Sequence, residues 1–193
     1  NTYLYLGTDN GILVYNYRTD KYEQPDTDFP TDVRTMVLQG DTLWIGSLNG
    51  LYTYQLKSRQ LNHFDSKQTG LPHNTIYSLM HTKDNQIYIG TYNGLCRYVQ
   101  ASGKFENILL PVNRGGSNLF VNSLLEDTTR QCIWIGMEGY LFQYNPTTGE
   151  MKAIEVFHNN SIKSLALDGD ENLLAGTDNG LYVYQNDKEP LQH

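Results

Sequence analysis

Few of the side chains that could do chemistry fall into a pattern that would let them do it. The five histidines, His63, His73, His81, His158 and His193, lie at unrelated points of the chain and lack metal-ligand spacing. There is no Walker loop, HExxH or GxSxG. Asp168, Asp170 and Asn172 imitate the opening of a calcium loop, but Leu173 stands where the loop needs glycine and Asn179 where it needs glutamate. Arg114-Gly115-Gly116-Ser117 would suit a small anion nest, although such a pair of glycines is more often a plain connection. Cys96 and Cys132 have no CxxC spacing and read as core residues. The expectation is no catalytic residue, no metal and no cofactor in this segment.

Bulk properties narrow the classes further. Fourteen basic against twenty-one acidic side chains give a net charge of −7, with no Lys/Arg cluster. Nucleic acid is therefore an unsuitable partner. No apolar run reaches the ~18 residues of a membrane helix, so membrane contact is not expected within the segment. The sequence opens directly in an apolar stretch, Tyr3-Leu4-Tyr5-Leu6, and reads as a piece of something longer. Fifteen tyrosines and seventeen glycines lean towards strands joined by tight turns.

The strongest signal is an internal repeat. An apolar triplet followed by glycine recurs five times, at Leu4-Tyr5-Leu6-Gly7, Leu43-Trp44-Ile45-Gly46, Ile87-Tyr88-Ile89-Gly90, Ile133-Trp134-Ile135-Gly136 and Leu173-Leu174-Ala175-Gly176. Eight residues after each glycine stands a tyrosine: Tyr15, Tyr54, Tyr98, Tyr144 and Tyr184. Continuous apolar triplets fit strands covered on both faces. Asn10-Gly11, Asn49-Gly50, Asn93-Gly94 and Asn179-Gly180 then predict type I′ turns, in which both central residues take positive φ. The fourth unit has Glu138-Gly139-Tyr140 instead, and its turn is expected to be shifted by one residue. Before each triplet except the first lies a further strand with Ser or Thr in third place, as in Ile76-Tyr77-Ser78-Leu79-Met80. A small residue there suits an innermost strand crowded against a central channel. Weak outer strands are expected near Tyr22, Leu61–Phe64, Phe105–Ile108 and Met151–Ile154, with another through Pro190-Leu191. Helix should be close to absent. Residues 1–193 therefore read as an all-β chain: a β-propeller segment of about five repeats, built of four-stranded antiparallel blades and cut from a larger propeller of the seven-bladed type.

Gly70-Leu71-Pro72-His73-Asn74-Thr75-Ile76-Tyr77-Ser78-Leu79, followed by Ile87-Tyr88-Ile89-Gly90-Thr91-Tyr92-Asn93-Gly94-Leu95, resembles the two-component regulator propeller repeat. The second and fifth units match its later half and the fourth matches less well. The resemblance implies part of a periplasmic ectodomain of an inner-membrane sensor histidine kinase, often a hybrid kinase and response regulator. It also implies an oligosaccharide ligand, contact with the rest of the parent ectodomain, and homodimerisation of that parent. Two rival readings are a propeller scaffold for protein contacts and a propeller lyase or hydrolase, for which no convergent acid–base set is visible.

Residues shared by every unit describe scaffold, so a site should lie where units differ. The loops entering each innermost strand and the turns between second and third strands share one face. A sugar site wants an aromatic platform and planar hydrogen-bonding groups. His73, Asn74, Tyr92, Arg114, Phe120 and Asp178 are the candidates on that face.

Overall fold

The computed structural model describes residues 2–23, 25, 27–112, 119–154, 160–185 and 191–192. Among these residues nineteen strands form five antiparallel sheets, each sequential in order. The first has three strands, β1 (Tyr3–Thr8), β2 (Gly11–Asn16) and β3 (Lys21–Glu23). The second is β4 (Val33–Gln39), β5 (Thr42–Ser47), β6 (Gly50–Gln55) and β7 (Leu61–Phe64). The third is β8 (Ile76–His81), β9 (Ile87–Thr91), β10 (Gly94–Val99) and β11 (Lys104–Ile108). The fourth is β12 (Val121–Asp127), β13 (Cys132–Met137), β14 (Tyr140–Tyr144) and β15 (Met151–Ala153). The fifth is β16 (Ile162–Leu167), β17 (Leu173–Thr177), β18 (Gly180–Tyr184) and β19 (Leu191–Gln192). One single-turn helix, α1 (Ser66–Thr69), interrupts the approach to β8, with Asp65 as its N-cap and Gly70 in the left-handed region at its end.

The cores lie between consecutive sheets. Ile12, Val33, Ile45 and Tyr54 fill the first seam, and Trp44, Ile76, Ile89 and Phe105 the second. Tyr88, Val121, Ile135 and Phe142 fill the third, and Trp134, Ile162 and Tyr184 the fourth. Burying each such side chain contributes roughly 1.5–3 kcal/mol. The recurrent aromatic and tyrosine positions meet across these seams. Trp44 stands edge-on to Tyr98 at 4.8 Å between ring centres, and Trp134 to Tyr184 at 5.9 Å.

The triplet glycine is required by close approach. A Cβ on Gly46 would come within 2.6 Å of Ile76 Cγ2, and one on Gly90 within 2.7 Å of the Val121 carbonyl oxygen. The innermost strand of each following sheet therefore packs directly on glycine backbone. Ser78 Oγ spans the same seam and donates to the Val121 carbonyl at 2.9 Å.

The type I′ expectation is corrected. Pairing of Thr8 with Gly11, Ser47 with Gly50, Thr91 with Gly94 and Thr177 with Gly180 places Asp9-Asn10, Leu48-Asn49, Tyr92-Asn93 and Asp178-Asn179 at the centres of the turns. None of these asparagines takes positive φ; only the following glycines do, at 114°, 141°, 116° and 113°. The cause is the hydroxyl just after the triplet glycine. Thr91 Oγ1 accepts from the Asn93 N–H (3.1 Å) and donates to the Gly94 carbonyl (2.9 Å), and Thr8, Ser47 and Thr177 do the same. In the fourth unit Met137 replaces the hydroxyl, and positive φ moves one residue earlier, to Gly139 at 77°.

Candidate functional site

The candidate residues are best placed from the β8 end of the third sheet. Asp65 caps α1, its Oδ1 accepting from the Lys67 N–H at 2.7 Å. That backbone bond leads the effects holding the Asp65 carboxyl below the usual carboxylate range. Asn74 closes the loop from the other side. Its Nδ2 donates to Asp65 Oδ2 (3.1 Å) and its Oδ1 accepts from the Ser66 N–H (2.7 Å). The amide of Asn74 is thus engaged at both ends as a strut.

Next along the chain, His73 Nδ1 accepts from the Thr75 N–H at 3.0 Å, which leaves Nε2 to carry the proton of the neutral ring. Thr75 reaches both neighbouring turns: its carbonyl accepts from the Tyr92 N–H (2.9 Å), and its hydroxyl donates to the Leu48 carbonyl (3.1 Å). The turn carrying Tyr92 is therefore pinned to the loop carrying His73. Their rings lie 4.9 Å apart, and Tyr92 meets Phe120 edge-on at 4.3 Å. Phe120 in turn lies 5.8 Å from Tyr77. His73, Tyr92, Phe120 and Tyr77 form one row of half-buried rings running from the loops of the third sheet to its innermost strand.

Asp178 stands elsewhere, on the fifth sheet. Its Oδ1 accepts from the Ser161 N–H at 3.0 Å. Ser161 Oγ receives Lys163 Nζ at 2.9 Å and Asn122 Nδ2 at 3.4 Å, and the same Asn122 nitrogen donates to the Ile162 carbonyl at 3.1 Å. These contacts knit a polar cluster across the seam between fourth and fifth sheets. Of the six candidates, His73, Tyr92 and Phe120 share the row, Asn74 braces it from behind, Asp178 belongs to the polar cluster, and Arg114 lies outside the described residues.

Tyr77, Asn122 and Lys163 escaped the sequence reading. Each falls between the first and third residues of an innermost strand, the point at which pairing slips. The register shifts between Val33 and Thr35, Ile76 and Ser78, Val121 and Ser123, and Ile162 and Ser164. Each bulge holds one extra residue, Arg34, Tyr77, Asn122 or Lys163, and a bulge re-aims its side chain. The second to fifth sheets thus share the same bulge, each with a different residue on it.

The other chemical features resolve structurally. Asp168 Oδ1 accepts from the Asp170 and Asn172 N–H groups and Oδ2 from Asn172 Nδ2, so the calcium-like run is a self-satisfied turn. Cys96 and Cys132 are buried free thiols, and burial pushes both thiol pKa values up. Among the described residues no group of three or more His, Cys, Asp or Glu side chains is placed to hold a metal. No described helix is long and apolar enough to cross a membrane. The largest cavity described, about 550 Å³, contains none of the candidates. It lies between the first and second sheets, lined by Tyr3, Tyr5, Leu38, Leu43, Tyr54 and Arg59 among others, and is bounded by β1, whose free edge no described strand covers.

Comparison with known proteins joins these observations. The family model described as "Two component regulator propeller" matches residues 70–93, the stretch holding His73, Asn74 and Tyr92. The extracellular domain of the putative hybrid two component system BT4673 from B. thetaiotaomicron is 76% identical to the chain. It superposes with a TM-score of 0.95 over 100% of the chain and 26% of its own length. The corresponding domain of BT3049 from the same organism, 20% identical with a TM-score of 0.80, shares the fold over 100% of the chain and 27% of its own. A curated protein, Histidine kinase P4 of Formosa agariphila, is 27% identical over 156 residues, covering 72% of this chain and 11% of that protein. The chain thus spans about a quarter of these solved domains and about a tenth of the kinase. Its five sheets are blades of an all-β propeller, and the chain carries the two-component regulator propeller repeat.

Proposed function

We propose that this chain is part of the periplasmic sensor region of a two-component histidine kinase, of the hybrid type, and that it forms part of an oligosaccharide site. The observation that carries the reading is the row His73–Tyr92–Phe120–Tyr77. Half-buried rings held by backbone bonds offer sugar rings apolar faces to stack on. The Asn122–Ser161–Lys163–Asp178 cluster, at the next seam, supplies hydroxyl partners. Support for the signalling context comes from the repeat match and from relatives described as extracellular domains of hybrid systems. Binding would signal only through different affinities for two arrangements of the parent, between its propellers or between protomers of a homodimer.

The test is a thermal-shift screen of the complete parent ectodomain against a panel of plant and host oligosaccharides. A ligand at a hundred times its dissociation constant adds about 2.7 kcal/mol of stability. A selective rise in melting temperature is expected, and Tyr92→Ala is expected to abolish it. A well-folded sample with no response across the panel would overturn the sugar reading. One observation favours a protein partner instead: Tyr17 and Tyr22 are 58% and 65% exposed, and both pack on Tyr15 at the outer edge of the first sheet. Dimerisation lost on Tyr22→Ser, with no sugar response, would favour that alternative.

A further inference from the structure

The four bulges lie at the same point of four successive innermost strands, and those strands pack one against the next, β4 on β8, β8 on β12 and β12 on β16. Three of the bulge side chains are fixed by contacts with the entry to an innermost strand. Tyr77 reaches Phe120, Asn122 reaches Ser161 and Ile162, and Lys163 reaches Ser161. They are therefore carried at the channel end of the loop face, beside the aromatic row. Their order around the arc is Arg34, Tyr77, Asn122, Lys163, with a cation at each end.

The surrounding charge makes this placement informative. The chain as a whole carries −7. Lys163 shares Ser161 with Asp178, so part of its charge is balanced at one residue's remove. Arg34 is exposed and makes no ion pair among the described residues, and the nearby Asp32 carboxylate is engaged by the Thr31 hydroxyl. On the strand that packs against the one carrying Tyr77, the Arg34 guanidinium offers a fork suited to a carboxylate carried on a sugar ring.

We infer that the channel mouth takes an acidic oligosaccharide, its sugar rings on Tyr77 and Phe120 and a ring carboxylate on Arg34. This inference rests on the oligosaccharide reading above and adds the charge class of the ligand. It accounts for the bulge, an innermost-strand position at which each of the four sheets has a different residue.

The experiment uses the complete ectodomain and paired probes: oligogalacturonates and oligoglucuronates, and the same oligosaccharides with carboxyls reduced to the neutral sugars. Affinity is measured by calorimetry at low and high salt. At least one acidic probe is expected to bind on the order of tenfold tighter than its reduced partner, the worth of one charge-assisted hydrogen bond. That margin should shrink as salt rises. Arg34→Gln should erase the margin, leaving the neutral probe and the melting temperature unchanged, and Arg34→Lys should restore part of it. If reduced and acidic probes bind equally, or Arg34→Gln keeps the margin, the charge assignment is overturned and the sugar reading stands. If neither class binds while another oligosaccharide does, the assignment again falls alone. If nothing binds, both fall.

Discussion

The third and fourth sheets bury an aromatic at the same repeat position and satisfy it in opposite ways. Tyr88 on β9 stands opposite Arg97 on β10, which hydrogen-bonds its phenol and pairs with Glu106 at 2.6 Å. Burial, followed by the neighbouring Tyr144, pushes the Tyr88 phenol up to about 12. Trp134 on β13 instead donates its indole N–H to Asp127 at 3.0 Å, and Asp127 is bridged to Arg130 at 2.7 Å. The first arrangement ends in a partly exposed ion pair, and the second is a sealed hub in which the Asp127 side chain has no exposed surface. Exposed pairs contribute little, whereas breaking a buried one leaves a stranded charge. The repeat therefore preserves what is buried and leaves each unit free to choose the polar partner.

Substitutions that exchange the two solutions are the sharpest way to break the comparison. Trp134→Ala should cost about 3–5 kcal/mol in denaturant unfolding, since it opens a cavity in the fourth seam and deprives Asp127 of a donor. Trp134→Tyr, which imports the residue of the third sheet, should cost less than half as much. Equal losses would mean that the indole bond, not burial, carries the position.

Next in size is the acid response. Burial alone would raise the Asp127 pKa, but the Arg130 backbone N–H, the Trp134 indole and the Arg130 guanidinium outweigh it and hold the carboxyl below its usual range. Its contribution is complete above the unfolded value of about 3.9 and is lost as pH falls through the lower folded value. Unfolding free energy measured from pH 6 to pH 2 should fall more steeply in the wild type than in Asp127→Asn. Parallel curves would remove the hub from the account.

The smallest expected effect concerns the turns. Thr91→Val keeps the shape of a fully buried side chain and deletes the hydroxyl serving Asn93 and Gly94, at a cost of about 1 kcal/mol. The fourth sheet already lacks that hydroxyl at Met137 and folds its turn through Gly139, so Glu138→Ala, on that turn, should have almost no effect. A large loss from Glu138→Ala would show that the two turns are less independent than their hydrogen bonds indicate.

Which features could be read in the sequence follows the same division. Triplets such as Ile87-Tyr88-Ile89-Gly90 reveal strands and seams, because burial forces the same residue types into every unit. His73, Tyr92 and Phe120 could be named for the opposite reason, as departures from the repeat on a known face. What stayed hidden depended on details smaller than the pattern. The Asn-Gly pairs signalled a turn, but the hydroxyl of Thr8, Ser47, Thr91 or Thr177 set its type. The Asn74 amide is of the type a sugar site wants, yet both of its ends are taken by the helix entry, a partnership visible only in three dimensions. Tyr77 and Lys163 sit on a bulge, and a one-residue slip in pairing leaves no trace in periodicity.

The seams have one further consequence. The larger strand contacts between sheets, such as β4 with β8 and β12 with β16, join consecutive sheets only. Mechanically the arc is a stack of stiff plates joined by four hinges in series, in which the displacement of one plate is handed on through its neighbour alone. The aromatic row straddles the hinge between third and fourth plates, and the Asn122–Ser161 cluster straddles the next. A molecule seated across both would splint two adjoining hinges and lock three plates into a single lever.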